Sequence, residues 1–153
     1  MTAKLKHGIT KVKDPGSALT HFIAMILAII AAMPLLSKAG HDSGHMHISA
    51  LAVFILSMIG LYAASTIYHT LDISPKINKL LRKIDHMMIF ILIAGTYTPV
   101  CMIVLGDKTG WTMLTLVWGI AIVGILINAL WITCPKWFSS LIYIAMGWVC
   151  ILA

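Results

Sequence analysis

Apolar residues run through this chain in long blocks separated by short polar stretches. Four blocks, about Ser17 to Leu36, Ile48 to Leu71, Ile84 to Leu105 and Trp111 to Ile132, are long enough to cross a bilayer as helices. A helix needs roughly 20 apolar residues to span the hydrocarbon core. A fifth block, Phe138 to Ala153, falls short of a full crossing. The expected fold is all-α: a polytopic transmembrane helical bundle of five spans, the fifth cut short, in a single domain over residues 1–153. Hydrocarbon offers no water to backbone N–H and C=O groups, so only helices or closed barrels cross it.

The breaks carry their own signals. Asp14-Pro15 and Ser74-Pro75 read as helix starts, with an Asp or Ser cap before a proline suited to the first helical position. After Pro75, Ile77, Leu80, Leu81 and Ile84 recur at helical spacing with basic residues on other faces. This predicts either a short interfacial helix or an early start of the third span. Asp85 continues that stripe and is expected to face the bundle. Thr96-Tyr97-Thr98-Pro99 predicts a kink near the far end of the third span, with threonine hydroxyls beside the freed backbone groups. Pro34 and Asn128 read as kink or packing features.

Composition sharpens the class. The chain is 60% hydrophobic and 10% charged, with no glutamate, and its mean hydropathy is +0.97. Soluble domains carry about 25% charged residues, so this is an integral membrane protein. The net charge of +6 sits in two short stretches rather than on a broad basic face, which excludes a nucleic-acid-binding module. Lys and Arg number nine in the N-terminal flank and the second and fourth loops, against two in the first and third loops. The positive-inside rule predicts a cytoplasmic N-terminus, and the expected location is the plasma (inner) membrane. The first apolar run is too long for a signal-peptide core and more spans follow it, so it reads as a retained span. Lys76, Lys79, Arg82 and Lys83 in the second loop are expected to meet anionic headgroups. Cys101, Cys134 and Cys150 have no ligand-like spacing and read as small packing residues. Gly119 and Gly124 are too weakly patterned to define a dimer face.

The chemistry concentrates at one membrane boundary. Ser65 and His69 end the second block four residues apart, so they share a helix face. Asp85 opens the third block on a helix running back. Ionisable residues inside a bilayer are costly and need a named partner. Together these residues are expected to converge on a metal ion or on one reacting water. His21 lies at similar depth in the first span, either as a further member of the site or as an interhelical hydrogen-bonding residue. His86 points about 100° away from Asp85 on a helix and stays outside the site. His41, His45 and His47 form an HxxxHxH pattern in the first loop, on the opposite side of the membrane. That pattern reads either as a solvated loop or as a transition-metal site of its own.

The runs Ser65-Thr66-Ile67-Tyr68-His69, Ile84-Asp85-His86 and Ala94-Gly95-Thr96-Tyr97-Thr98-Pro99 resemble the hemolysin III family. Leu19-Thr20-His21-Phe22 and Met146-Gly147-Trp148 resemble that family's first and fifth spans. The family groups with the progestin and adiponectin receptors and the alkaline ceramidases. The resemblance implies seven spans with a cytoplasmic N-terminus. It implies zinc as cofactor, with His69 as a ligand, Asp85 holding and polarising a water on the metal, and Ser65 supporting the site. The family's two other histidine ligands form an HxxxH pair in its seventh span. This sequence has no such pair after His69, so the expectation is a chain that lacks the sixth and seventh spans.

The function implied by the resemblance is a membrane-embedded zinc-dependent hydrolase acting on a lipid amide that enters from the bilayer. The alternatives are a non-enzymatic membrane sensor or homeostasis protein with zinc as a staple, and a cytolysis-associated protein. The expected partners are membrane lipids and a lipid substrate.

Overall fold

The computed structural model describes residues 12–42, 44–131 and 136–152. The elements in chain order are α1 (Pro15–Asp42), α2 (Gly44–Thr70), α3 (Pro75–Pro99), α4 (Lys108–Leu130) and α5 (Lys136–Trp148). A π-helical segment, Val100–Leu105, extends α3, and a short 3₁₀ segment, Val149–Leu152, extends α5. No strand occurs among the described residues. Four stretches are long and apolar enough to cross a membrane: Pro15–Gly40, Gly44–Thr70, Pro75–Leu105 and Lys108–Leu130. The last apolar helix, Trp137–Ile151, is shorter. The all-α bundle expected from the apolar blocks is the observed fold.

Helix starts follow the local chemistry. The Ser74 hydroxyl accepts the Ile77 N–H at 3.4 Å, and Pro75 takes the first helical position. The basic stretch is therefore an early start of the third span rather than a separate interfacial helix. The Asp107 carboxylate accepts the N–H groups of Thr109 and Gly110 at 2.8 and 3.1 Å and starts α4. Between α3 and α4, Gly106 has φ +56° and donates its N–H to the Cys101 carbonyl at 3.1 Å. That five-residue reach is the π-helical bond. Proline lacks an N–H and crowds the carbonyl one turn back. Pro99 thus changes the winding of α3 without ending it, and the Thr98 hydroxyl bonds the Ala94 carbonyl at 2.9 Å.

The expected first loop is absorbed into helix. His45 and His47 lie in the first turns of α2, and Gly44, with φ +80°, makes the preceding reversal. Two residues apart on a helix, their side chains point about 200° from one another, so they do not chelate one ion together. The His47 Nδ1 is buried without a hydrogen-bond partner among the described residues. The side chain of His41 and the whole of Cys134 lie outside the described residues.

Each helix packs on the one before it, and α5 returns to lie against α3 and α4. The core, formed by α3, α4, α5 and the two short extensions, holds Phe90, Ala94, Cys101, Met113, Val117, Ala121, Met146 and Val149. Phe90 is fully buried, with its ring centroid 4.5 Å from that of Tyr143. The Phe90 ring occupies the space where a Cβ on Gly124 would stand, so only glycine fits there. Gly95 does the same for Ser57 at the α2–α3 contact. Small residues at such contacts let helices approach closely where there is no hydrophobic drive between them. Gly124 therefore faces into the bundle, while Gly119 faces open space.

Polar side chains tie the helices crosswise. The Tyr97 hydroxyl donates to the carbonyls of Met146 and Gly147 at 3.0 and 2.9 Å, and the Tyr143 hydroxyl donates to the His86 carbonyl at 2.9 Å. Trp118 Nε1 donates to the Thr98 hydroxyl at 3.2 Å. Asn128, read from the sequence as a packing feature, accepts the Ser139 hydroxyl at 3.1 Å and joins α4 to α5. Outside this frame Leu27, Ile30, Met33, Leu56, Val104 and Leu130 stand more than half exposed. An apolar exterior of this extent is lipid-facing.

Because the Phe90 ring is packed on both sides, Gly124→Val is expected to overpack the core at a cost of about 1–3 kcal/mol. Gly119→Ala is expected to leave stability unchanged or slightly improved. Thermal melting of the purified protein in detergent measures both. Equal melting temperatures for Gly124→Val and the parent chain would contradict the observed α3–α4 packing.

Candidate functional site

The polar residues collect where α1 begins, α2 ends and α3 enters the bundle. The first two of these are latched together. The Asp14 N–H donates to the His69 carbonyl at 2.9 Å, and the Lys13 N–H donates to the Thr70 carbonyl at 3.4 Å. Residues at the end of an α-helix have carbonyls with no intrahelical donor. Here the chain just ahead of α1 supplies two of them. The side chains follow the same path. The Asp14 carboxylate accepts the Ser17 hydroxyl at 2.8 Å and lies 3.3 Å from His69 Nδ1.

A carboxylate only accepts, so Asp14 holds the proton of the neutral His69 ring on Nδ1 and leaves Nε2 as the lone-pair nitrogen. The Ser17 hydroxyl bond keeps the Asp14 carboxyl below the usual carboxylate range. It outweighs partial desolvation and is assisted by the Ser17 backbone N–H and by His69. Asp14 is therefore ionised at neutral pH. The His21 ring stands beside this pair, 5.7 Å from the His69 ring and 6.0 Å from that of Tyr62. Tyr68 meets His69 edge-on at 4.8 Å.

Ser65 lies one turn back on α2 and is buried at 4% exposure. Asp85 is buried at 8% exposure on the inner face of α3, as its register predicts. The stripe itself divides differently. Leu81 lies partly buried on the side of Asp85, whereas Ile77, Leu80 and Ile84 are exposed. Lipid surrounds the bundle, so apolar residues face outward there as comfortably as inward. Neither the Ser65 hydroxyl nor the Asp85 carboxylate has a hydrogen-bond partner among the described residues. The nearest ionic neighbour of Asp85 is His86 Nδ1 at 3.8 Å. That nitrogen lies 2.8 Å from the Arg82 carbonyl, which only accepts, so it carries a proton.

The structure thus brings His69 and His21 together and sets Ser65 one turn away. It buries Asp85 without an ion pair or hydrogen bond to either histidine. Among the described residues no three His, Cys, Asp or Glu side chains are grouped to hold a metal ion. Sequence reasoning missed the second role of Asp14, which it read only as a helix cap. The signal was present: Asp14, Ser17 and His21 are spaced three and four residues apart, along one face of a helix.

Removing the carboxylate is expected to free both the Ser17 hydroxyl and the His69 ring. Asp14→Ala should speed hydrogen exchange at the first amides of α1 and leave those of α4 untouched. Unchanged exchange around Ser17 would mean that the backbone bonds alone hold this latch.

The comparisons with known proteins agree with the polar motifs. The family described as Haemolysin-III related matches residues 9–153. The chain is 38% identical to "Hemolysin-3" of Bacillus cereus over 154 aligned positions, covering 100% of this chain and 70% of that protein. It is 35% identical to "Hemolysin-3 homolog" of Bacillus subtilis (strain 168) over 141 positions, covering 92% of this chain and 66% of the relative. No solved structure matches it. With apolar helices long enough to cross a membrane four times, it is a multi-pass integral membrane protein, and it belongs to the Haemolysin-III related family.

Proposed function

We propose that this chain supplies part of an intramembrane zinc site and that the protein hydrolyses lipid amides there. The observation that carries the reading is the carboxylate-oriented imidazole: Asp14 on His69 Nδ1 at 3.3 Å, with the His21 ring alongside. Metal-ligating histidines almost always give their other ring N–H to a carboxylate or carbonyl, which fixes the tautomer and raises ligand basicity. The donor chemistry fits zinc, which takes imidazole nitrogen and carboxylate oxygen. His69 and His21 would hold the ion, and the reading requires further ligands besides these two. Zinc, when bound, supplies Lewis acidity that lowers the pKa of water toward neutrality.

The chain's own residues then divide the work. Asp14 orients His69 and stays ionised through its bond from Ser17. Asp85, buried and without a hydrogen-bond partner among the described residues, would take the proton of the attacking water and return it to the departing amine as the C–N bond breaks. Ser65 donates a hydrogen bond to the developing oxyanion of the amide carbonyl. A site one turn inside the membrane boundary admits an acyl-chain substrate sideways from the lipid, with the N-terminus and this end of the bundle on the cytoplasmic side.

A second reading follows the name of the Bacillus cereus relative, hemolysis of target cells. Externally added protein releasing a dye from liposomes would favour it. Leakage only on overexpression inside cells would not.

Zinc content by elemental mass spectrometry and hydrolysis of a long-chain ceramide test the first reading. In the full-length protein His69→Ala is expected to lose zinc, and Asp85→Ala to lose turnover by about 10²–10⁴-fold. Asp14→Ala is expected to weaken zinc binding about 10–100-fold. Unchanged zinc content and turnover in both the His69 and Asp85 variants would end the hydrolase reading.

A further inference from the structure

Beside the latch, on the same end of the bundle, a cavity of about 400 Å³ opens between the chain ahead of α1, the end of α2 and the start of α3. Lys13, Tyr68, Asn78, Lys79 and Arg82 line it. We infer that this cavity binds the phosphate headgroup of an anionic phospholipid, with Lys13, Lys79 and Arg82 as its cationic wall.

Three observations carry this. The first is uncompensated charge. None of the three cations has an ion-pair partner among the described residues. Asp85, three residues after Arg82, is buried with His86 as its ionic neighbour at 3.8 Å, and the other two carboxylates near them in the chain are occupied elsewhere. Asp14 takes Ser17 and His69, and Asp72 accepts the side-chain amide of Asn78 at 2.6 Å. Cations gathered around one cavity repel each other unless an anion joins them.

The second observation is placement. The two backbone bonds from Lys13 and Asp14 to the end of α2 fix Lys13 at the cavity. Its Nζ sits 3.6 Å from the centroid of the Tyr68 ring. Lys79 and Arg82 are three residues apart on α3 and share a face one turn apart. Two separate elements, the chain ahead of α1 and the start of α3, thus bring charge to one space, whose volume falls in the range of ligand pockets, about 300–1,000 Å³.

The third observation selects a lipid over a soluble phosphate. The cavity sits where the spans begin and end, which is the depth of the headgroups. Leu71 and Ile73, in the turn between α2 and α3 that leads to this cavity, are exposed, Ile73 at 58%. A phosphate held at the cavity is therefore at the level where bilayer hydrocarbon begins, which leaves lipid for acyl chains to enter. The guanidinium of Arg82 suits phosphate through its planar fork, and the lysines add point charge. The inference does not depend on zinc or on hydrolysis.

The test measures binding of short-chain phosphatidylglycerol to the full chain in detergent, with short-chain phosphatidylcholine and inorganic phosphate as separate arms. The parent protein should bind phosphatidylglycerol in preference to both. Removing two cations in Lys79→Gln/Arg82→Gln should weaken it on the order of thirtyfold, taking about 1 kcal/mol per basic residue near an anionic surface. Arg82→Lys should keep most of the binding, and Lys108→Gln, at the other end of the bundle, all of it. Circular dichroism and gel filtration of the double variant verify that it folds. Equal binding of phosphatidylcholine, or unchanged affinity in the folded double variant, overturns the site. Inorganic phosphate binding as tightly as the lipid overturns the lipid assignment.

Discussion

A polar group inside hydrocarbon has no water to bond, and the architecture of this bundle follows from that constraint. The backbone meets it within each helix. The side chains meet it between helices, where Tyr97, Tyr143, Trp118 and Asn128 each bond across to a neighbouring element. These bonds run among α3, α4 and α5, the helices that enclose the buried core. Polar ties between helices are worth about 0.6 kcal/mol on average in a membrane. They act with close packing, which glycine permits at Phe90–Gly124 and Ser57–Gly95.

The first two helices are held differently. In α1 most large apolar side chains face outward, and α1 packs against α2. What fixes its starting depth is the pair of backbone bonds from Lys13 and Asp14 to the carbonyls of Thr70 and His69. A helix end that needs donors and a helix start that has them spare satisfy each other. The consequence reaches the side chains. The same two residues set a carboxylate on His69 Nδ1 and a cation over the Tyr68 ring. One local backbone arrangement thus builds both the oriented imidazole and the wall of the basic cavity.

Asp85 stands apart from that arrangement. It is buried on α3, a helix tied to α4 through Lys83 Nζ and the Ala129 carbonyl at 3.0 Å as well as through the core. Its carboxylate is close to the membrane boundary, and among the described residues its ionic neighbour is His86, at 3.8 Å. A buried carboxylate with such weak compensation is costly. Asp14, bonded and half-exposed, and Asp85, buried and hardly bonded, thus stand in opposite environments at the same end of the bundle.

Much of this was legible in the chain alone. The spans followed from apolar run length, because hydrocarbon thickness is a one-dimensional constraint on a helix. Ser74-Pro75 started a helix because its capping chemistry is local, and the inward register of Asp85 followed from counting four residues from Leu81. The motifs around Ser65, His69, Asp85 and Gly95–Pro99 identified the family. The sequence did not show the continuity of helix through His45 and His47, since Gly44 reads as loop until its backbone angle is known. Nor did it show that Ile77, Leu80 and Ile84 turn outward, because lipid accepts apolar side chains that water would drive inside. The contact of Asp14 with His69, the approach of His21, the seat of Phe90 on Gly124 and the convergence of Lys13 with Arg82 were decided by tertiary structure. Each depends on the relative rotation and depth of two helices, and those are set by side-chain packing between spans rather than by the hydropathy of any one of them.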